Sequence, residues 1–188
     1  YGGVGKKVDW EKPYILMVQH PVTTSYGEGL SQVNQTLIAL KSLTEYQKIV
    51  LWPNIDAGTD EISKGLRVFR EENGDLPFHY YRNFSPEDYA RVLNNAACTV
   101  GNSSSFIREG SFLGIPSVIV GDRQEGREHG NNLAFANYKS AEIKKKIRGQ
   151  LDNSSISPDF LFGKGNAGQL IAEKLARINL AINKRMTY

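Results

Sequence analysis

The sequence predicts an α/β protein whose parallel sheet lies between two layers of helices. Short apolar runs of four or five residues recur along the chain, and most are followed by a longer segment with apolar residues at helical spacing. Strands that alternate with helices form parallel sheets with right-handed crossovers, because each helix returns the chain to the same end of the sheet. The chain of 188 residues, 40% of them hydrophobic, is long enough to bury a full core.

Three predicted strand–helix units make up the first half of the chain. Their first strand is a continuous apolar run, which is typical of strands buried on both faces of a sheet. Their third helix has a clear start, because Ser85 can cap it and Pro86 suits the first helical position. The predicted strands are Tyr14–Val18, Lys48–Trp52 and Phe78–Tyr81, and the predicted helices cover Leu30–Leu40, Asp60–Glu72 and the residues after Ser85.

The second half continues the alternation and ends in two helices. Gly114 is expected to end the first of its helices, as glycine commonly does after a last turn. The residues from Asp152 to Gly165 contain Ser, Gly and Pro and are expected to form a loop. The predicted strands are Ala97–Val100, Pro116–Val120 and Asn132–Phe135, and the predicted helices are Phe106–Leu113, Ser140–Arg148 and Ala167–Ile182.

We expect residues 1–188 to form a single domain that belongs to a longer protein. The start, Tyr1–Gly5, has no initiator methionine and looks like the middle of a linker. Gly2–Lys6 superficially resembles a phosphate-binding loop, but no strand precedes it and the spacing GxxxxGK[ST] is absent. The sequence therefore does not favour a phosphate-binding loop at this position.

Composition excludes several other classes of function. The net charge of +3 is too small and too dispersed to indicate nucleic-acid binding. No apolar stretch approaches the roughly 20 residues that span a bilayer, so no membrane association is expected. The single cysteine, Cys98, lies in an apolar strand and cannot form an internal disulfide, which favours a cytoplasmic location. No His, Cys and Asp residues have the spacing of metal ligands, so no metal site is expected.

The polar residues that could form a site follow the predicted strands. Ligands of parallel α/β sheets bind outside the carboxyl ends of the strands, where the loops meet. The architecture therefore predicts one polar site built from several loops. The candidate segments are His20, Pro53–Asn54, Asn83, Gly101–Ser105 and Gly121–Arg127.

The turn over Gly101–Ser105 is the strongest candidate for binding an anion. A small polar turn between a strand and a helix leaves backbone N–H groups and hydroxyls near the positive end of the helix dipole. Helix capping accounts for one of Ser103, Ser104 and Ser105, but three serines exceed that need. Glu109 would repel a diphosphate, but it could accept hydrogen bonds from the two hydroxyls of a ribose. We therefore expect a nucleoside diphosphate here.

Two arginines and one histidine complete the candidate site. Arg123 and Arg127 follow the fifth strand in a glycine-bounded loop. They either contact a phosphate or a base, or pair with neighbouring acids at the surface, and the sequence leaves both interpretations open. His20 ends the first strand at the predicted rim of the site, which favours a functional role slightly over a structural one.

Four blocks occur in order along the chain: Gln19–Thr24, Trp52–Gly58, Gly101–Glu109 and Arg123–Glu128. Together they resemble the C-terminal half of UDP-N-acetylglucosamine 2-epimerases, and the hydrolysing branch of that family in particular. The similarity runs from about Tyr14 to Asn132. Any one block alone would be unspecific, whereas four in order with suitable spacing are specific. A weaker echo of the family pattern occurs at Phe162–Asn166.

The resemblance implies a two-domain GT-B fold, in which this chain is the Rossmann-like, UDP-binding C-terminal half and the N-terminal domain is absent. Position by position, it implies that Ser103 and Ser104 contact the diphosphate and that Glu109 contacts the ribose. Asn54 would line the sugar–nucleotide pocket, and His20 would lie near the sugar–phosphate bond as the catalytic candidate. Arg123 would belong to the UDP site, and Arg127 is a further candidate for contacting UDP or the sugar.

The resemblance also implies a reaction. A base removes the C2 proton of the sugar while the C1–O bond to UDP breaks, giving a 2-acetamidoglucal, and hydrolysing members then add water and release the free 2-epimerised sugar. The acid and base carboxylates of this chemistry belong to the absent domain, so the chain alone is expected to be inactive. The UDP-sugar is the substrate, and no cofactor is expected.

Three alternative functions stay open at this point. They are a non-hydrolysing 2-epimerase, a GT-B glycosyltransferase that uses the same contacts to UDP, and a module that holds a UDP-sugar without chemistry. The sugar could be N-acetylglucosamine or a bacillosamine-type derivative. Apolar surface on the side of the absent domain could also cause copies of this chain to associate.

Overall fold

The computed structural model describes residues 2–179, which form one seven-stranded sheet with helices on both faces. Its six longer strands are mutually parallel, and a short first strand pairs antiparallel at one edge. The spatial order is β1-β4-β3-β2-β5-β6-β7. The strands are β1 Gly3–Gly5, β2 Tyr14–Val18, β3 Gln47–Leu51, β4 Phe78–Tyr81, β5 Cys98–Gly101, β6 Ser117–Val120 and β7 Leu133–Ala136.

The two faces of the sheet carry two separate apolar cores. Because strand side chains alternate between faces, Ile15 and Met17 pack into one core, and Leu16 and Val18 pack into the other. The first core is completed by α1, α2 and α5, and the second by α3 and the residues around Phe106. The helices are α1 Gly29–Lys41, α2 Thr59–Glu72, α3 Pro86–Asn94, α4 Arg108–Leu113, α5 Ser140–Leu151 and α6 Ala167–Leu175, with 3-10 turns at Thr23–Ser25 and Ser104–Phe106.

The predicted three-layer parallel sheet is confirmed, and the six predicted strands agree with the observed ones to within a residue at each end. The helices differ more. The helix predicted over Phe106–Leu113 is divided into the 3-10 turn Ser104–Phe106 and the shorter α4. The helix α5 continues to Leu151, and α6 covers Ala167–Leu175 with its side chains exposed. Ile182, at the end of the last predicted helix, lies outside the described residues.

The start of the chain is a strand rather than the predicted linker. Gly3–Gly5 pairs antiparallel with β4, in register with residues 79–81. Side chains are not tolerated at the two glycines of this strand, because a Cβ on Gly3 would lie 2.3 Å from Nε2 of His79 and one on Gly5 would lie 2.3 Å from the carbonyl oxygen of Phe78. The two glycines therefore allow β1 to approach β4 closely, although a segment so rich in glycine has the composition of a linker.

Three features bear on the expectations from composition. Cys98 is a free thiol buried in β5, and burial raises its pKa to about 12, so it packs as an inert side chain. Among residues 2–179, no helix combines the length and the apolar character that crossing a bilayer requires. The same residues contain no group of three or more His, Cys, Asp and Glu side chains able to hold a metal ion.

Candidate functional site

The candidate site lies at the carboxyl ends of neighbouring strands, and Gly101 allows two of them to approach closely. Gly101 ends β5 with φ at +133°, and a Cβ at this position would lie 2.0 Å from the carbonyl oxygen of Val18 in β2. Only glycine fits such a contact. The next residue, Asn102, donates its backbone N–H to the same Val18 oxygen over 3.1 Å. This approach places the Asn102 side chain beside His20, which lies two residues after the end of β2.

Asn102 is the centre of a buried hydrogen-bond network. Its side chain holds the backbone of His20 from both sides, because Oδ1 accepts from the His20 N–H at 2.7 Å and Nδ2 donates to the His20 carbonyl at 2.8 Å. Its own carbonyl accepts from Nη1 of Arg123 at 3.1 Å and from Nε2 of Gln124 at 2.7 Å. Asn102 thus joins the loops that follow β2, β5 and β6. We call this network the Asn102 hub.

The imidazole of His20 is held in one neutral tautomer. The backbone N–H of Asn54 donates to its Nδ1 over 3.2 Å, so Nδ1 is an acceptor and the ring proton of the neutral form lies on Nε2. Burial lowers the pKa of His20, and the positive charge of Arg123 lowers it further, against opposing effects of the Asp56 carboxylate and of the Asn54 side chain. At neutral pH His20 therefore presents the Nε2–H as a hydrogen-bond donor, and its other nitrogen, Nδ1, is occupied and is not available to accept a proton.

Arg123 is positioned from two directions. Besides its bond to the carbonyl of Asn102, its Nη2 lies 3.9 Å from Oδ2 of Asp56, which also accepts from the side chain of Asn54. The guanidinium is mostly covered, with 28% of its side chain exposed. It opens onto a cavity of about 300 Å³ whose walls include Pro21–Thr24 and Asp56. A preorganised cation beside the neutral imidazole is suited to binding an anionic group.

The serine turn follows the Asn102 hub directly. Ser103 caps the 3-10 turn, since its Oγ accepts from the backbone N–H of Ser105 at 3.3 Å, and its Oγ also lies 2.8 Å from the Oγ of Ser105. Capping therefore explains one acceptor position on Ser103. The half-buried hydroxyl of Ser104 makes no hydrogen bond to residues 2–179. The first internal bond of the turn runs from Phe106 N–H to Ser103 carbonyl, which leaves the Ser104 N–H without an acceptor in the turn.

Glu109 opens onto a second and larger cavity. It is exposed in the first turn of α4, and the cavity of about 590 Å³ beside it lies between α4 and the residues 162–167. The guanidinium carbon of Arg108 lies 5.8 Å from the centre of the Phe162 ring, which ties the two segments together. The fold thus brings the Phe162–Asn166 echo next to Glu109. We call this surface the Glu109 rim.

Arg127 and Asn83 lie apart from these two regions. Arg127 is exposed and lines a third cavity, of about 640 Å³, together with His129, Phe135 and Glu142. Asn83 is exposed in the loop after β4. The structure thus brings His20, Asn54, Arg123 and the serines together, places Glu109 at the adjoining rim, and does not bring Arg127 to the Asn102 hub.

Three residues outside the predicted set contribute to the site. Asn102 and Gln124 build the hub, and Asp56 holds Arg123 and the Asn54 side chain. All three lie inside the segments predicted from the strand ends or the four blocks. The sequence alone does not single out these three side chains, because their partners depend on how closely the loops after neighbouring strands approach one another.

The chain matches the family model for UDP-N-acetylglucosamine 2-epimerases over residues 3–176. It belongs to this family. A UDP-N-acetylglucosamine 2-epimerase of Neisseria meningitidis is 29% identical over 153 residues, which are 81% of this chain and 39% of that protein. A UDP-N,N'-diacetylbacillosamine 2-epimerase (hydrolyzing) of Legionella pneumophila is 27% identical over 172 residues, or 92% of this chain and 45% of that protein. The chain thus spans less than half the length of these relatives of the family.

Solved structures of epimerases share the fold. The UDP-GlcNAc 2-epimerase of Methanocaldococcus jannaschii superimposes with a TM-score of 0.69 at 16% identity, over 90% of this chain and 46% of that one. The ADP-heptose heptosyltransferase II of Escherichia coli superimposes with a TM-score of 0.55 at 10% identity. The prediction of one half of a GT-B fold is confirmed. Because epimerases and a glycosyltransferase share this fold, the family match rather than the architecture identifies the chain as an epimerase family member.

Proposed function

We propose that this chain is the UDP-binding half of a hydrolysing UDP-N-acetylglucosamine 2-epimerase. Its family supports the reaction class, and its span of 39% and 45% of two relatives supports the need for a second domain to complete the site. Its substrate is UDP-N-acetylglucosamine or a related UDP-N-acetylhexosamine. The isolated chain is sufficient to bind UDP, whereas turnover of the UDP-sugar requires the other domain as well.

The observation that carries this proposal is the arrangement of donors around His20. The Nε2–H of a neutral imidazole, the Arg123 guanidinium and the Ser104 hydroxyl, which has no partner among residues 2–179, lie on loops that meet at the same edge of the sheet. Such donors favour a diphosphate oxygen that gains charge as its bond breaks. They offer no strong base. The site therefore suits leaving-group departure better than proton removal.

In the proposed reaction, a base takes the C2 proton, a double bond forms between C1 and C2, and the C1–O electron pair leaves with UDP. Water then adds across the double bond, with OH at C1 and H at C2, to give the free 2-epimerised sugar. The Nε2–H of His20 donates a hydrogen bond to the departing oxygen, and Arg123 offsets the charge. Because Nδ1 of His20 is occupied by the Asn54 N–H, we place the base in the second domain.

The names of the relatives favour the hydrolysing branch. Two of them, from Legionella pneumophila and Campylobacter jejuni, are named as hydrolyzing N,N'-diacetylbacillosamine 2-epimerases. A third relative, from Escherichia coli, is named polysialic acid biosynthesis protein P7 and is 29% identical over 147 residues. The solved Methanocaldococcus jannaschii enzyme binds UDP-GlcNAc and UDP, which supports a uridine nucleotide as ligand.

A calorimetric titration of this chain with UDP, and then with ADP, tests the binding half of the proposal. Saturable binding of UDP that ADP does not match is expected. Equal binding of both nucleotides, or binding of neither by the chain and by the full-length protein, would contradict it.

The reaction is tested on the full-length protein with UDP-N-acetylglucosamine. Release of UDP with free N-acetylmannosamine is expected. Reversible formation of a second UDP-sugar without UDP release would identify a non-hydrolysing epimerase, and UDP release that requires a sugar acceptor would identify a transferase. His20→Ala in the full-length protein separates catalysis from binding, because a binding module would keep its function.

A further inference from the structure

A chain of three hydroxyls leads from helix α3 into the serine turn. The phenol of Tyr89 lies 2.6 Å from Oγ of Ser105, and that Oγ lies 2.8 Å from Oγ of Ser103. Both distances are those of good O–H···O hydrogen bonds. Neither Tyr89 nor Ser105 belongs to the set of residues assigned to UDP above. The three hydroxyls therefore need an explanation of their own.

The direction of the protons along this chain is open to two arrangements. Ser103 already accepts a hydrogen bond from the backbone N–H of Ser105. If Tyr89 donates to Ser105 and Ser105 donates to Ser103, both acceptor positions of the Ser103 hydroxyl are filled, and its own proton is free to point outward. If the direction is reversed, the Ser103 hydroxyl donates its proton to Ser105 and presents a lone pair to the ligand instead.

Two properties of the surroundings favour the first direction. A phenol is a better donor and a weaker acceptor than an aliphatic hydroxyl, so Tyr89 is the natural beginning of the chain. Burial raises the pKa of Tyr89, and the carboxylate of Glu109 raises it further, against an opposing effect of the Ser105 and Ser103 hydroxyls, so the phenol keeps its proton. An anion bound beside Ser103 would select the same direction, because it accepts hydrogen bonds and repels a lone pair.

We propose that Tyr89 and Ser105 are positioning residues for the nucleotide, which orient the Ser103 hydroxyl as a donor to its phosphate. This proposal rests on the proposed function, since it takes UDP as the ligand. Tyr89 itself does not touch the phosphate. Its effect passes through Ser105 to Ser103, and consecutive O–H bonds of the same direction strengthen one another.

The test compares ligands with and without phosphate. Tyr89→Phe removes the first donor and keeps the ring that packs against the second core. We expect this variant to bind UDP about three- to tenfold more weakly, the effect of one neutral hydrogen bond, with unchanged affinity for uridine. Ser105→Ala is expected to behave in the same way. In the Ser103→Ala background, Tyr89→Phe should have no further effect on UDP affinity, because the residue it orients is gone.

Tyr14→Phe is the matched control. The Tyr14 phenol also makes a 2.6 Å hydrogen bond to helix α3, to the carbonyl of Val92, but it lies at the amino end of β2, far along the strand from His20. This variant should lower the free energy of unfolding and leave the affinity for UDP unchanged. Comparing the two phenylalanine variants separates positioning of the phosphate ligand from general support of α3.

The outcomes distinguish this inference from the proposed function. If the unsubstituted full-length protein and the chain bind neither UDP nor uridine, the proposed function is wrong and the inference falls with it. If the unsubstituted protein binds UDP and Tyr89→Phe binds it equally well, only the inference is overturned. An equal loss of affinity for UDP and uridine would also overturn it, since a structural role of Tyr89 would then suffice.

Discussion

The two parts of the candidate site differ in how firmly the fold holds them. The Asn102 hub is buried and joins three strand-end loops through four hydrogen bonds of the Asn102 side chain and carbonyl. The Glu109 rim is exposed. One side of it is formed by residues 162–167, and the helix that continues from them, α6, has no buried side chain. The hub is therefore preorganised before any ligand arrives, whereas the rim depends on what binds it. This difference predicts which substitutions cost stability and which cost only affinity.

Asn102→Ala is expected to have the largest effect. It leaves the N–H and C=O of His20 without their partners and releases the loop that carries the catalytic candidate. Unpaired buried groups cost about 1–3 kcal/mol each, so we expect a loss of about 2–4 kcal/mol in the free energy of unfolding. Chemical denaturation measures it. Asn131→Ala, at an exposed asparagine, is the control and should change the stability by less than about 0.5 kcal/mol.

A loss of stability no greater for Asn102→Ala than for the control would show that the hub is not preorganised. In that case ligand binding, rather than folding, would have to organise the loops around His20. The contrast with the rim would then disappear.

Glu109→Ala is expected to give the opposite pattern. If the carboxylate accepts both ribose hydroxyls, its removal costs one or two charge-assisted hydrogen bonds, or about a ten- to hundredfold loss in UDP affinity. Because Glu109 is exposed, the free energy of unfolding should hardly change. Calorimetry with UDP and with 2′,3′-dideoxy-UDP measures the effect. The variant should no longer discriminate between these two nucleotides, and continued discrimination would rule out the ribose contact.

The pKa of His20 provides a smaller and more specific test of the hub. Arg123 lowers this pKa and Asp56 raises it, so Arg123→Gln should raise it and Asp56→Asn should lower it. NMR titration of the His20 ring measures both shifts. Shifts of the same sign in the two variants would mean that the charges do not act on His20 as the geometry indicates.

The lowered pKa of His20 in the folded protein also makes the free energy of unfolding depend on pH over a defined range. The folded state holds the proton of His20 less tightly than the unfolded chain, whose histidine pKa is about 6.5. Between the two values the unfolded state binds more protons, so this contribution to stability is present above pH 6.5 and is lost as the pH falls through the folded pKa. His20→Gln should remove this part of the pH dependence.

The sequence predicted which residues lie around the Asn102 hub, but it did not predict the hydrogen bonds that hold them there. His20, Asn54 and Arg123 could be placed because polar residues after parallel strands meet at one edge of the sheet. The role of Asn102 could not, because its partners depend on the approach of β5 to β2 at Gly101. The glycine before a buried asparagine at a strand end was the available signal. Strand β1 escaped prediction for a related reason, since three residues with two glycines have no hydropathy pattern.

Arg127 gives the smallest expected effect and the sharpest test of where the site ends. Both arginines of the loop after β6 were candidates, but only Arg123 contacts the hub, and Arg127 lines a separate cavity. Arg123→Ala should weaken UDP binding by about ten- to a hundredfold through loss of a charged contact, whereas Arg127→Ala should change it less than about threefold. Calorimetry measures the UDP affinity of both variants. Each variant loses one positive charge, and the two positions are four residues apart. Equal effects would mean that net charge near the loop matters more than the position of the guanidinium, and the hub would then no longer define the anion site.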